Sequence, residues 1–159
     1  MSNFNYLAAP NILEIIDMIQ RKQTIWLLLS IIFMVLSIYI PFGHQAHAAP
    51  TESAVVTIDM KANFNFILTI IVAVSIALAG FGIFLFKNRG LQKMICLLGF
   101  VTSIALGIYE FILANNKADN YVLSFGIALP VVSALLFLMA WSGINADEKL
   151  IKSVDRLRD

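Results

Sequence analysis

Glu110 is the one charged side chain inside any long apolar run of this chain. A carboxylate in that setting is by default a hypothesis about protons, ions or a buried partner. Its place about one turn from the end of its run favours a quieter use, an interfacial anchor or an ion pair with Lys117 or Lys61. No second carboxylate or basic residue lies deep in another run, as a relay would need. His44 and His47, three apart with Glu52 and Asp59 nearby, have the residue types of a zinc site, but their Ala, Pro and Ser-rich surroundings argue for an ordinary loop, and no metal is expected. Cys96 is the single cysteine, so no internal disulfide forms, and it reads as a small buried hydrophobe. Pro130, mid-way along the last apolar run, predicts a kink that frees the carbonyl of Gly126 and gives a candidate hinge. No Ser-His-Asp set, CxxC pair, HExxH or phosphate loop occurs, so catalysis is not expected, nor any cofactor.

The elements that must position these groups are four apolar runs, Thr24 to Phe42, Phe66 to Phe86, Met94 to Ala114 and Tyr121 to Ile144. About twenty helical residues rising ~1.5 Å each cross the ~30 Å hydrocarbon core of a bilayer. With 60% hydrophobic and 13% charged residues, most of the chain is predicted to be solvated by lipid. Continuous apolarity, without the alternation of barrel strands, predicts helices. Short connections, Lys87 to Lys93 and Asn115 to Asn120, make sequence neighbours antiparallel. The expected fold is all-α: an integral membrane four-helix bundle of two antiparallel hairpins over residues 24–144, with an N-terminal extension over 1–23 and a cytoplasmic amphipathic helix over 145–159.

Small residues at Ser75, Ala79 and Gly82, at Gly99, Ser103 and Gly107, and at Gly126 and Ser133 suit close helix approach, and the second of these sets is expected to face inward. Positions 25–39 echo positions 95–109 through six identities, among them Leu27 with Leu97 and Leu36 with Leu106, which either marks a duplicated hairpin or follows from composition.

Charge sets the orientation. Nine of the eleven Lys and Arg residues flank one side of the threaded runs, leaving Lys61 and Lys117 on the other, so both termini are predicted to be cytoplasmic. Trp26 and Trp141 fall at the cytoplasmic ends, and Tyr39, Tyr109 and Tyr121 at the outer ends. Because the basic residues flank runs rather than form a face, a nucleic-acid partner is excluded and the expected environment is the lipid bilayer. Arg21 and Lys22, the first run and the Ala46-His47-Ala48 triplet imitate a cleavable signal, but the run is too long and lies too far from the start for that reading to lead.

The two ends are more distinctive. The chain reads Met-Ile-Gln-Arg-Lys-Gln-Thr-Ile-Trp-Leu from Met18 to Leu27, and Asp-Glu-Lys-Leu-Ile-Lys-Ser-Val-Asp-Arg-Leu-Arg from Asp147 to Arg158. With four spans between, these ends resemble an uncharacterised family of small membrane proteins from Bacteroidetes, domain of unknown function 4293, over Met18 to Asp159. The resemblance implies a bacterial inner-membrane protein and brings no activity, cofactor or catalytic residue. Family members look as if they begin at the position of Met18; the residues before it offer a capping box at Asn11 and Glu14 and an apolar face of Ile12, Ile16 and Ile19.

In the tail, Leu150, Val154 and Leu157 recur at i, i+4 and i+7, the pattern of an amphipathic helix that lies on a surface or docks a partner. The expected function is that of a non-catalytic accessory, assembly or scaffolding subunit whose tail contacts a membrane or cytoplasmic protein. The alternative is a small transporter or channel using Glu110 and the Pro130 kink.

Overall fold

In the computed structural model, residues 22–48, 55–85, 88–116 and 121–156 are described. Among these residues four α-helices carry the body: α1 Lys22–Tyr39, α2 Phe66–Phe84, α3 Arg89–Asn116 and α4 Ala128–Arg156. Local chemistry starts two of them. The Asn65 side chain accepts from the backbone N–H of Ile67 and so caps α2 at 3.0 Å, while the Asn88 side chain accepts from the N–H of Leu91 ahead of the first complete turn of α3, each satisfying an N–H that the helix leaves unpaired.

Three stretches, Phe66–Phe84, Arg89–Asn115 and Phe125–Lys149, are helical, long and apolar enough to cross a membrane, and the apolar part of α1, Gln23–Tyr39, is shorter. The first and last runs therefore differ from their predicted bounds. The first helix stops at Tyr39 because Pro41 cannot continue it, and the fourth begins at Ala128 rather than Tyr121.

Residues before Ala128 form part of a sheet that the all-α expectation missed. Gly43–Ala48 (β1) pairs antiparallel with Val55–Met60 (β2), and Tyr121–Leu123 (β3) pairs antiparallel with the other edge of β1. The order β2-β1-β3 joins the α1–α2 connection to the α3–α4 connection by backbone hydrogen bonds. The Ala46-His47-Ala48 triplet lies within β1. Near the sheet, Phe42 donates its N–H to Met60 O at 2.8 Å and accepts from Ser124 at 3.1 Å, and Gly126 donates to Pro41 O at 3.2 Å.

Every helix carries a series of buried positions that alternate three and four residues apart: Gln23, Leu27, Ser30, Met34 and Ser37 on α1, Leu68, Val72, Ser75, Ala79 and Gly82 on α2, Gln92, Cys96, Gly99, Ser103, Leu106 and Glu110 on α3, and Pro130, Ser133, Phe137, Ala140 and Ile144 on α4, where Leu129, Ala134 and Leu136 are buried beside them. That is the seam of a heptad-type bundle, in which helices cross at about 20°. Each helix packs on two neighbours, α1 on α2 and α4, and α3 on the same two. The interior divides into two clusters. Met34, Leu68, Val72 and Leu106 join Phe42, Met60 and Ala62 beneath the sheet, and Leu27, Ala79, Cys96, Phe137, Ala140 and Ile144 fill the opposite end.

Of the set expected to face inward, Gly99 and Ser103 are buried and Gly107 is half-buried; Ser75, Ala79 and Gly82 are buried too. The echo between α1 and α3 extends to burial in only some of its pairs: Leu28 and Leu98 are both exposed, but Leu27 is fully buried and its counterpart Leu97 exposed, whereas Leu36 is exposed and Leu106 fully buried.

Candidate functional site

The seam of α3 brings Glu110 to the inside. Only 1% of the residue is exposed, and its Oε2 has no hydrogen-bond partner among the described residues. The expected anchor at the membrane surface is therefore corrected. Position along the helix suggested access to headgroups, but the chain beyond α1 covers that end: neighbouring Tyr109 and, one turn either way, Leu106 and Leu113 pack in the cluster holding Phe42, Met60 and Ala62. No ion pair of Glu110 with Lys61 forms, and Lys117 lies outside the described residues.

Ser37 and Ser103 on the seam bond to carbonyls of their own helices, Met34 O and Gly99 O, and other polar groups find partners across it. Ser30 and Ser133 hydroxyls hydrogen-bond at 2.7 Å between α1 and α4, Ser75 donates to Thr102 at 3.0 Å between α2 and α3, and the Gln92 amide donates to Gly82 O at 2.8 Å. Interhelical bonds of this type hold apolar helices together. The Oε1 atoms of Gln23 and Gln92 lack partners, as Glu110 Oε2 does. Chemically the stripe offers one buried carboxyl group whose Oε2 has no partner among the described residues.

The Pro130 hinge is also corrected. Pro130 is buried, but it stands in the first turn of α4, which starts at Ala128. Its missing N–H would be unpaired there anyway, so no kink is required. The Gly126 carbonyl that the hinge was to release accepts from the N–H of Ala128.

His44 pairs with Asp59, directly opposite on β2, through Nδ1 and Oδ1 at 2.7 Å. His47 stands across from Val56, and Glu52 is outside the described residues. Among the described residues no three His, Cys, Asp or Glu side chains come together as metal ligands. Cys96 is buried in the cluster at the end away from the sheet.

The tail is not a separate helix: α4 runs unbroken from Ala128 to Arg156. Leu150 and Val154 stand one turn apart on it, and Leu157 lies outside the described residues, as do Asn11, Glu14, Ile12, Ile16 and Ile19 of the N-terminal extension.

Sequence reasoning found the small residues of the inner stripe on the last three helices and missed its members on α1, Gln23, Ser30 and Ser37, although a signal for the whole stripe was present. Gln23, Ser30 and Ser37, then Leu68, Ser75 and Gly82, then Cys96, Ser103 and Glu110, then Gly126, Ser133 and Ala140, each recur at intervals of seven. Small and polar residues at the coiled-coil period mark the interior when the outside is apolar.

The carboxyl of Glu110 has a predictable energetic cost. An unsatisfied buried polar group costs about 1–3 kcal/mol, so Glu110→Leu, similar in volume, is expected to raise stability by about 1–2 kcal/mol, read from the thermal unfolding midpoint in detergent. Lower stability in that variant would give the carboxyl a structural role.

Fold and stripe together define a mostly helical protein whose long apolar helices are compatible with a membrane protein. The family described as Domain of unknown function (DUF4293) matches residues 19–157, and the chain belongs to it. No curated protein and no solved structure matches the chain.

Proposed function

We propose that the chain is a non-catalytic accessory or assembly subunit of the bacterial inner membrane, with both termini cytoplasmic. The carrying observation is the single helix α4, which continues past the apolar stretch ending at Lys149 as far as Arg156. The unbroken helix carries Leu150 and Val154 one turn apart beyond the apolar stretch, a spacing suited to contact with a membrane or cytoplasmic partner.

The membrane reading is supported by the inverted distribution of side chains. Ile25 and Ile32 on α1, Phe66 and Phe81 on α2, Val101 and Ile108 on α3 and Leu135 on α4 are exposed, whereas Ser30, Ser75, Ser103 and Ser133 are buried. In water this would be an aggregation surface; in lipid it costs nothing.

The test is chemical crosslinking in membranes followed by purification of the full chain and of a variant ending at Lys149, with helicity and unfolding midpoint compared between them. The expected result is one defined partner captured by the full chain and lost on truncation, while the fold is kept. Identical capture by both forms, or none by either, would overturn the proposal.

A further inference from the structure

At the end of the bundle away from the sheet, an open cleft of about 680 Å³ runs along α4, lined by Trp141, Ser142, Asn145, Glu148 and Lys149, with Ala146 at its wall and Lys93 of α3 at its edge. Its volume falls within the range of small-molecule sites, roughly 300–1,000 Å³. Ser142, Asn145 and Lys149 follow one another at i, i+3 and i+7 along α4 and so share one side of the helix. Their hydroxyl, amide and ammonium groups are all hydrogen-bond donors.

Charge in the cleft is uneven. Lys93 of α3 is bonded to Glu148, which occupies that carboxylate and leaves Lys149 as the cation lining the opening. Trp141 is 40% exposed and adds a flat apolar body with one N–H donor, the combination that favours the boundary between hydrocarbon and headgroups. The cleft also stands where the apolar stretch of α4 ends, at Lys149, with exposed Met94 and Leu97 on the adjoining part of α3. A ligand here would meet an ammonium and neutral donors at one end and an apolar helix surface at the other.

The geometry points to a binding site for the phosphate headgroup of an anionic lipid, with its chains along the apolar surface of α3 and α4. The inference rests on the membrane placement proposed above and is independent of the tail's partner. Lys149 is the headgroup's charge partner, Ser142 and Asn145 donate to phosphate oxygens, and Trp141 packs on the glycerol region. Continuity of the polar cleft with an apolar surface selects a lipid over free phosphate.

The test uses the full chain in vesicles, with Trp26→Phe so that Trp141 is the sole tryptophan reporter. Bromine-labelled phosphatidylglycerol and phosphatidylcholine are compared as quenchers at equal mole fraction, with flotation as a control. Stronger quenching by phosphatidylglycerol is expected, with a preference that falls about fivefold in Lys149→Gln and is restored in Lys149→Arg. Equal quenching by the two lipids, or a preference unaltered by Lys149→Gln, would overturn the site. Loss of the preference on adding millimolar inorganic phosphate would assign the cleft to a soluble anion and overturn the lipid. Failure to float with vesicles would remove the membrane placement itself, and the site with it; a floating protein without preference removes the site alone.

Discussion

Gly126→Ala is expected to destabilise the protein by about 3 kcal/mol or more, beyond the ~1–3 kcal/mol of ordinary overpacking. The reason is that the added methyl would meet main chain. A Cβ at Gly126 would lie 2.6 Å from the Pro41 carbonyl carbon and 2.8 Å from Phe42 N, with the Pro41 oxygen closer still. Those atoms have little freedom. Phe42 is bonded through its N–H to Met60 and through its carbonyl to Ser124, and the Pro41 carbonyl accepts from Gly126 itself. Relief would require β3 and the start of α4 to move away from β1. Unfolding midpoints in detergent would show the loss, and hydrogen exchange would locate it, with protection falling first at the amides of Ser124 and Gly126, which are bonded to Phe42 O and Pro41 O. Gly80→Ala serves as control: nothing lies within 4 Å of its added Cβ, and in a helix the change should be neutral or stabilising by about 0.5–1 kcal/mol.

The second large effect belongs to Gly99. A Cβ there would penetrate the contact surface of the Phe137 ring, 2.6 Å from Cδ1 and nearer to the ring's far edge. Phe137 is fully buried among Leu27, Cys96, Ala140 and Ile144, so the ring has no exposed side to turn toward. Gly99→Ala should cost about 2–3 kcal/mol. Here the obstacle is a side chain, and the remedy is correspondingly simple. Combining Gly99→Ala with Phe137→Leu should recover much of the loss, giving a favourable coupling in a double-mutant cycle. Additive losses would mean that the two residues do not meet. The contrast between the glycines is useful: a smaller side chain opposite can rescue Gly99, whereas no substitution of a neighbour shortens a carbonyl.

Much of the architecture was legible because long apolar helices announce themselves by length and composition. The second run was expected over Phe66 to Phe86 and forms Phe66–Phe84, and the third was expected over Met94 to Ala114 and lies within Arg89–Asn116. The sheet was not legible. Gly-His-Gln-Ala-His-Ala lacks both strand-favouring residues and alternation, and Tyr121-Val122-Leu123 extends the apolarity of the helix after it. β1 exists through its two partners rather than through its own sequence. Glu110 was legible as unusual and misread in depth, since counting turns to the end of a helix says nothing about what covers that end. Pro130 was misread for a related reason: with the start of α4 placed at Tyr121, a first-turn proline became a mid-helix one.

The sheet has a kinetic meaning. The pairs α1–α2, α2–α3 and α3–α4 join neighbours in sequence, but α1 on α4, and Gly43 with Leu123 across about eighty residues, are distant closures that form slowly and only after the intervening chain is in place. β1 and β2 can pair once α2 has begun, leaving one edge of β1 open until the last connection is made. β3 is thus the closing strand of the sheet, and its arrival, with the packing of α4 on α1, joins two separately formed hairpins into one cooperative unit. Until then the open edge of β1 is a template for the wrong strand, so the order of synthesis, from α1 to α4, is also the order in which that hazard is removed.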